Sequence, residues 1–571
     1  MNARAASYVK DVVSEAPRLP QDVVALEREV AERDALVASL RSTIAMLEGQ
    51  IAALQSALVN HASEIELLKR RLFGPRSERG GTSELQLLLG DMLTQQAALQ
   101  KQLDDALAKK PEGEEAKPPP PPPAARPKPK GRRDLSVSSL PTIVVDLTDP
   151  DLAKKGKLIG YDESRQLMFE RGGFKVLVKR MAKYELEVAG KTTVLGTPAP
   201  KTLFARGLLH TSALAWLGVQ KFSLGTPCYR IEQDLRDQGQ SLDRGTMCRN
   251  LEEVGNVLGA TVVHAMMRDA IEHCAVLSTD ATGAAIQPGP REGGPKRACK
   301  KGHFFTIVAD CDHVLFAYTE KHTQDAVAKM FHGFRGFLQS DASSVYDILD
   351  RGPPKDADGG VVLVGCWAHL RRYFFEAAIC KYPVGVEGLT RIRAIYAADN
   401  ALAALPPVDR KRARETLVVP LVDAFFEWVH RVARTTPGRN LATRAIGYAA
   451  NQEQELRRVF LDGRIPLDNT RSERALRKIV VGRKNWLFYG SDLHAEAAAA
   501  FFSVIASCRL HGLDPWKYLD ELLRVLPYWP KQRHLELAPK YWGATRATLD
   551  AAELVAPVGV ITVPPLVAAA A

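Results

Sequence analysis

Three acidic residues stand where strand-like or basic runs meet: Asp280 in LSTDATG, Asp341 in FLQSDASSVYD, and Glu473 in LDNTRSERALRKIVVGRKNWLFYGSD. Carboxylate oxygens are the ligands that hard divalent cations take, and a pair of such cations can clamp a phosphodiester between its attacking and leaving oxygens. Two aspartates closing apolar runs and a glutamate inside a basic helix therefore suggest cutting and joining of nucleic acid.

Those acids need a scaffold. CAVLST, 274–279, reads as a buried strand whose end presents Asp280. Two further strand-like runs at 304–309 and 314–318 follow, then a helix from about 324 to 334. The run at 337–340 delivers Asp341, and 361–365 is another apolar strand. Three strands, a helix and a strand, with one acid on the first strand and another after the fourth, is the order of a ribonuclease-H-like core. In such a core the two acids stand side by side despite their separation of 61 residues (341 minus 280). A lone aspartate at a strand end is usually a turn former or helix cap, but two at matched topological places favour chemistry.

Glu473 comes after a mostly helical stretch from about 371 to 461. Thr470-Arg471-Ser472-Glu473 fits a capping box, and Arg477 offers an intrahelical partner, so purely structural roles are open to this acid. Against both, Glu473 shares a helix face with Leu476 and Val480, which turns it toward the sheet. Arg471, Arg474 and Lys478 form a separate basic stripe, and with Arg371, Arg372, Arg483 and Lys484 they are the candidate DNA-phosphate contacts. Trp486 either stacks on a distorted base or fills the core. Cys366 and His369 form a Cys-x-x-His motif after the fifth strand. A closed zinc site needs four ligands, and Cys299, His303, Cys311 and His313 offer no convincing spacing, so zinc is not expected. His369 is read as touching the scissile phosphate or an acidic ligand, with a buried structural histidine as the alternative.

The 571 residues are too many for one core and call for several domains. Lys and Arg number 77 against 66 Asp and Glu, a net charge of +11 that favours a polyanionic partner. Eight cysteines without a CxxC pair suit a reducing, cytoplasmic setting, and no disulfides are expected. The start, MNARAASYVKDVV, has no signal pattern, and the apolar run from 554 to 571 is broken by prolines and read as a frayed tail, so no membrane is expected.

The chain is read as a multi-domain α/β protein. Region 20–108 carries apolar heptads (Val23, Val30, Val37, Ile44, Ile51, Leu58, Ile65 and Leu72 in one position, mostly leucine in the other, with Arg33 and His61 off-pattern) and is expected to form a coiled coil joining two or more copies, followed by a second helix. A Pro-rich basic linker spans 109–135 and a small strand-rich module 136–200. Region 201–265 is helical, and its segment 241–250 either opens a DNA-recognition helix or simply packs. The catalytic core is expected in two parts, 266–375 and 463–530, around a helical insertion at 376–462, with a tail at 531–571.

Several of these blocks together resemble the large transposase of the insertion-sequence-66 family of bacterial mobile elements: LKRRLFGPRSER, KFSLGTPCYRIEQDLRDQGQSLDRGT, FLQSDASSVYD, GCWAHLRRYFFEA, IPLDNTRSERALRKIVVGRKNWLFYGSD and HGLDPWKYLDELL. The resemblance covers nearly the whole chain. It implies a DDE-type transposase with a ribonuclease-H-like catalytic domain, in which Asp280, Asp341 and Glu473 are the triad and Cys366 with His369 the motif after the second acid. It also implies two Mg²⁺ (or Mn²⁺) ions per site, terminal-repeat and target DNA as partners, and small accessory proteins of the same element. The chain departs from the pattern in two ways. Many relatives carry a cysteine-rich zinc ribbon after the linker, whereas the first cysteine here is Cys228, and Ala281 and Ala342-Ser343 stand where relatives often have Glu and Gly-Tyr. The expected reaction is cleavage at the element end followed by joining of the 3′ ends to target DNA. A transposase-derived DNA-binding or nuclease protein without strand transfer is the alternative.

Overall fold

The computed structural model describes residues 140–565 except 171, 189–190, 205–206, 290–297, 311 and 351–359, together with 33–35 and 38. The heptad region beyond those four residues, the linker and the last six residues lie outside the described residues. The chain divides into two units, Met1–Pro122 with Ile379–Tyr382, and Pro123–Ala378 with Pro383–Ala571; the second carries everything below.

Alternating apolar residues from 142 onward build a first sheet from β1 (Thr142–Leu147), β2 (Lys157–Glu170), β3 (Gly173–Val188) and β4 (Lys191–Gly196). The central strand β3 runs parallel to β1 and antiparallel to β2 and β4. Gly172 and Gly173, at φ of 121° and 148°, supply the tight turn between β2 and β3 that a side chain would resist. A short helix, α1 (Pro150–Lys155), lies between β1 and β2 and is capped by the Asp149 carboxylate.

Four helices come next: α2 (Thr211–Gly218), α3 (Cys228–Asp237), α4 (Arg244–Leu258) and α5 (His264–His273). The segment beginning at 241 does open a helix, with the Asp243 side chain accepting the Thr246 N–H. Its face of Met247, Leu251, Val254 and Leu258 is buried in the core.

The second sheet comprises β5 (Val276–Ile286), β6 (Lys300–Ala309), β7 (His313–Thr319), β8 (Gly336–Gln339) and β9 (Val361–Val364), with α6 (Gln324–Met330) between β7 and β8. Its spatial order is β7-β6-β5-β8-β9: the first three strands are antiparallel neighbours, and β8 and β9 run parallel to β5. β5 does not end at Asp280. It continues to Ile286 because the long partner β6 pairs with it residue by residue as far as Lys300. Cys274, just before β5, is disulfide-bonded, which corrects the expectation of no disulfides; residue spacing alone does not announce a bond set by tertiary approach.

Six helices follow β9: α7 (Trp367–Ile379), α8 (Pro383–Ala401), α9 (Pro407–Leu417), α10 (Val419–Ala433), α11 (Leu441–Asn451) and α12 (Glu453–Arg458). They enclose their own core around Trp367, Phe374, Phe425 and Phe426. Arg414, fully buried, bonds Asp399 at 2.6 Å and the carbonyls of Val459 and Asp462. Burying that charge is tolerable because its partners satisfy it, and the bonds to the two carbonyls fix the chain leading to the next helix.

That helix is α13 (Thr470–Trp486), followed by α14 (Asp492–Leu510) and α15 (Pro515–Val525). α14 is long and apolar enough to cross a membrane by length and composition, yet it is mostly buried in the protein core. Its Ser503 and Ser507 hydroxyls accept the N–H groups of Phe316 and Val314, satisfying the outer edge of β7. The chain ends with α16 (Pro539–Ala547) and α17 (Ala551–Val555). The stretch after α17 is not a frayed tail as far as residue 565. Ile561 is buried, and the carbonyls of Ala556, Pro557 and Pro564 accept bonds from Arg524, His210 and Arg533. The prolines that preclude a helix leave extended carbonyls free for these donors.

Candidate active site

The parallel pairing of β5 with β8 sets Val276 opposite Phe337, Leu277 opposite Leu338 and Ser278 opposite Gln339. Two residues further along both strands come Asp280 and Asp341, with the same offset of 61 residues (339 minus 278). β8 ends at Gln339, so Asp341 lies just past the strand. The Asp280 carboxylate accepts the Ala281 N–H at 2.8 Å. Burial, then the charge of Asp341 and more weakly that of Glu473, push its pKa up to about 7, against weaker opposing pulls from the Ala281 N–H and then Arg372.

Glu473 reaches this place through a brace that sequence reasoning missed. Asn469, 1 % exposed, is the residue before α13, and its side-chain amide donates to the Thr279 carbonyl at 2.6 Å, one residue before Asp280. Its backbone N–H donates to the Cys366 thiol at 3.2 Å. Gln339, fully buried, donates to the carbonyls of Pro466 and Gly365, and Trp367 N–H donates to Leu467. The segment before α13 is thus stitched to the ends of β5, β8 and β9. The only legible hint was the polar pair Asp468-Asn469 ahead of a helix. Asn469 precedes the helix without a side-chain cap bond, so the capping-box role open to Glu473 is not used.

Glu473 Oε1 instead lies 3.7 Å from both His369 Nε2 and Arg372 Nη2. The Cys-x-x-His motif therefore splits its work. Cys366 is a buried thiol held up at about 11 by burial, accepting backbone N–H groups. His369, one helical turn on, faces Glu473. Burial and Arg372 lower the His369 pKa, Glu473 and Asp341 oppose them, and its Nδ1 is buried without a hydrogen-bond partner. Tyr346, also buried, stands close enough for Asp341 to help burial push its phenol upward.

Around the acids, Arg371, Arg471, Arg474, Lys478 and Lys484 are exposed, and Arg372 is half exposed beside Glu473. Arg483 is committed elsewhere: it donates to the Thr282 hydroxyl and the Gly283 carbonyl of β5. Trp486 folds back over its own helix, where a side chain at Gly482 would strike its ring, and packs edge-on to Phe222 and Tyr489.

The donor set suits a hard cation. It is all carboxylate, and the mutual repulsion that raises Asp280 is what a bound positive charge relieves. Among the described residues, no three His, Cys, Asp or Glu side chains close on one point as a ready-made cage.

Acids bordered by exposed arginines are the equipment of nucleic-acid-processing enzymes, and the chain's similarity to known proteins agrees with that class. A family model described as Transposase IS66 family matches residues 206–497. Models described as Transposase C of IS166 homeodomain and IS66 C-terminal element match 62–145 and 503–539. The chain belongs to the IS66 transposase family. It is 25% identical over 547 residues to the uncharacterized protein y4qI of Sinorhizobium fredii, covering 93% of this chain and 98% of that one. It is 26% identical over 374 residues to the uncharacterized protein y4hP of the same organism, covering 61% and 64%. No solved structure matches.

Proposed function

We propose that this transposase cleaves phosphodiesters at the ends of its element and joins the freed 3′ ends to target DNA, with Asp280, Asp341 and Glu473 as the DDE triad. The observation that carries this reading is the parallel register of β5 and β8, which lead to Asp280 and Asp341 two residues after their last pair, with Glu473 brought near them by the Asn469 brace. The strand order β7-β6-β5-β8-β9 supports a ribonuclease-H-like core.

The three carboxylates would hold Mg²⁺ or Mn²⁺, which supplies Lewis acidity to activate water and to stabilise the leaving 3′ oxygen. This chain's own residues do the rest. Asn469 and Gln339 hold the site rigid before DNA arrives. His369, with Nε2 3.7 Å from Glu473, keeps that acid oriented. Arg371, Arg372, Arg471, Arg474, Lys478 and Lys484 bind phosphates on either side of the scissile bond. The heptads of region 20–108 pair subunits so that two element ends are processed together.

The test is cleavage of labelled element-end DNA with Mg²⁺ by the wild type and by Asp341→Ala, followed by strand transfer from pre-nicked ends. Loss of both reactions in the variant is expected; equal cleavage by the two proteins would refute the assignment.

A further inference from the structure

At the far end of α13 from Glu473 lies a cleft of about 630 Å³, within the size range of ligand sites. Its lining includes Lys221, Tyr229, Arg230, Arg244, Trp486 and Phe488. Aromatic faces and cations alternate there: Lys221 Nζ sits 4.7 Å from the Trp486 ring centre, and the Arg244 guanidinium 5.6 Å from that of Tyr229. Lys221, Arg230 and Arg244 outnumber the one acid in the lining, Glu252, which lies 2.7 Å from His494, and the cleft is electropositive.

Its rim is strained. Leu487 has φ of 68°, a left-handed conformation that a branched side chain resists. The turn it makes thrusts Leu487 and Phe488 outward, 69% and 43% exposed. Both flanks are anchored, since Leu487 N–H bonds the Arg483 carbonyl while Tyr489 exchanges backbone bonds with Ala285 in β5 and Gln287 just after it. Two residues before Leu487, Asn485 donates to the Gly225 carbonyl. An anchored, strained projection of large apolar side chains beside cationic side chains marks an interaction surface.

We propose that this cleft receives a single unpaired nucleobase of the bound DNA, with Leu487 and Phe488 as the wedge that unstacks it. A base offers a flat π-face for Tyr229 and Phe488, and its backbone brings the phosphates that Lys221, Arg230 and Arg244 attract. Apolar wedges beside basic residues are how proteins open a base step. The geometry places the event: Glu473 is in the first turn of α13 and Trp486 in its last, about 20 Å apart at helical rise. A duplex lying along the exposed Arg474 and Lys478 would then present a base roughly six base pairs from the acids.

This inference rests on the proposed DNA-processing function, and the experiment separates the two. Full-length protein is titrated with a short paired duplex and with the same duplex carrying one bulged thymidine, then with 2-aminopurine at the bulge, whose emission falls on stacking. The wild type is expected to bind the bulged duplex about tenfold more tightly and to quench the probe. Tyr229→Ala combined with Phe488→Ala, both at exposed positions, abolishes preference and quenching while binding the paired duplex as wild type does. Leu487→Gly, which relieves the strained φ, weakens the preference without lowering the melting temperature. Equal affinity of the wild type for both duplexes, or a preference that survives the double substitution, overturns the cleft's assignment alone. Failure to bind even the paired duplex at low salt overturns the DNA-processing function and the cleft with it.

Discussion

Asp280, within β5, and Asp341, just past the end of β8, each lie two residues beyond the last pair that joins those parallel strands, Ser278 with Gln339. Burial first, and then the charge of Asp341, raise the pKa of Asp280 to about 7.

That elevation predicts a pH dependence of stability. In metal-free protein the folded state keeps a proton on Asp280 between about pH 4 and pH 7 that the unfolded chain releases, so stability falls as pH rises through that window. For a partly screened carboxylate the loss is on the order of 2 kcal/mol. In chelator, the melting temperature of the wild type should drop from about pH 5 to pH 8, whereas Asp280→Asn should show a flatter profile. Added Mg²⁺ should restore more stability at the higher pH. Parallel profiles for the two proteins would contradict the coupling.

Asn469 should matter as a brace. Asn469→Ala leaves the Thr279 carbonyl without its side-chain donor and should cost about 1–3 kcal/mol in urea unfolding. Cleavage should fall further than the unfolded fraction explains, because Glu473 loses its fixed approach. Asn469→Asp, which sets a carboxylate against that carbonyl, should be worse still; a variant with wild-type cleavage would remove the brace from the mechanism.

Cys366 is expected to act through its hydrogen bond. Cys366→Ala should lose about 1–2 kcal/mol, since the Asn469 N–H is then buried without an acceptor. A zinc chelator should leave the melting temperature of the wild type unchanged. A fall on chelation would mean that the thiol holds a metal.

Arg483 and Arg474 should part company. Arg483→Ala breaks the tie from α13 to Thr282 and Gly283, so its main effect should be on stability, about 1–3 kcal/mol. Arg474→Ala, at an exposed position, should leave the melting temperature alone and lower the salt slope of DNA binding by about one unit. If both changed only DNA affinity, the structural role of Arg483 would be wrong.

By itself the sequence determined the alternation that makes β5 to β9, the period that makes α13 a helix with Glu473 beside Leu476, and the family motifs around all three acids. Local periodicity reports which face of a segment is buried, and that much needs no partner. Only the tertiary structure decided that β5 runs through Asp280, because the length of β6 supplies the pairing. It alone showed Asn469 bonded to Thr279 across 190 residues, Arg483 tied to β5, and the segment after α17 held by Arg524 and Arg533. A buried polar side chain is dictated by whichever distant carbonyl it must satisfy. The identity of that carbonyl is a matter of strand register and chain crossing, which no local pattern encodes.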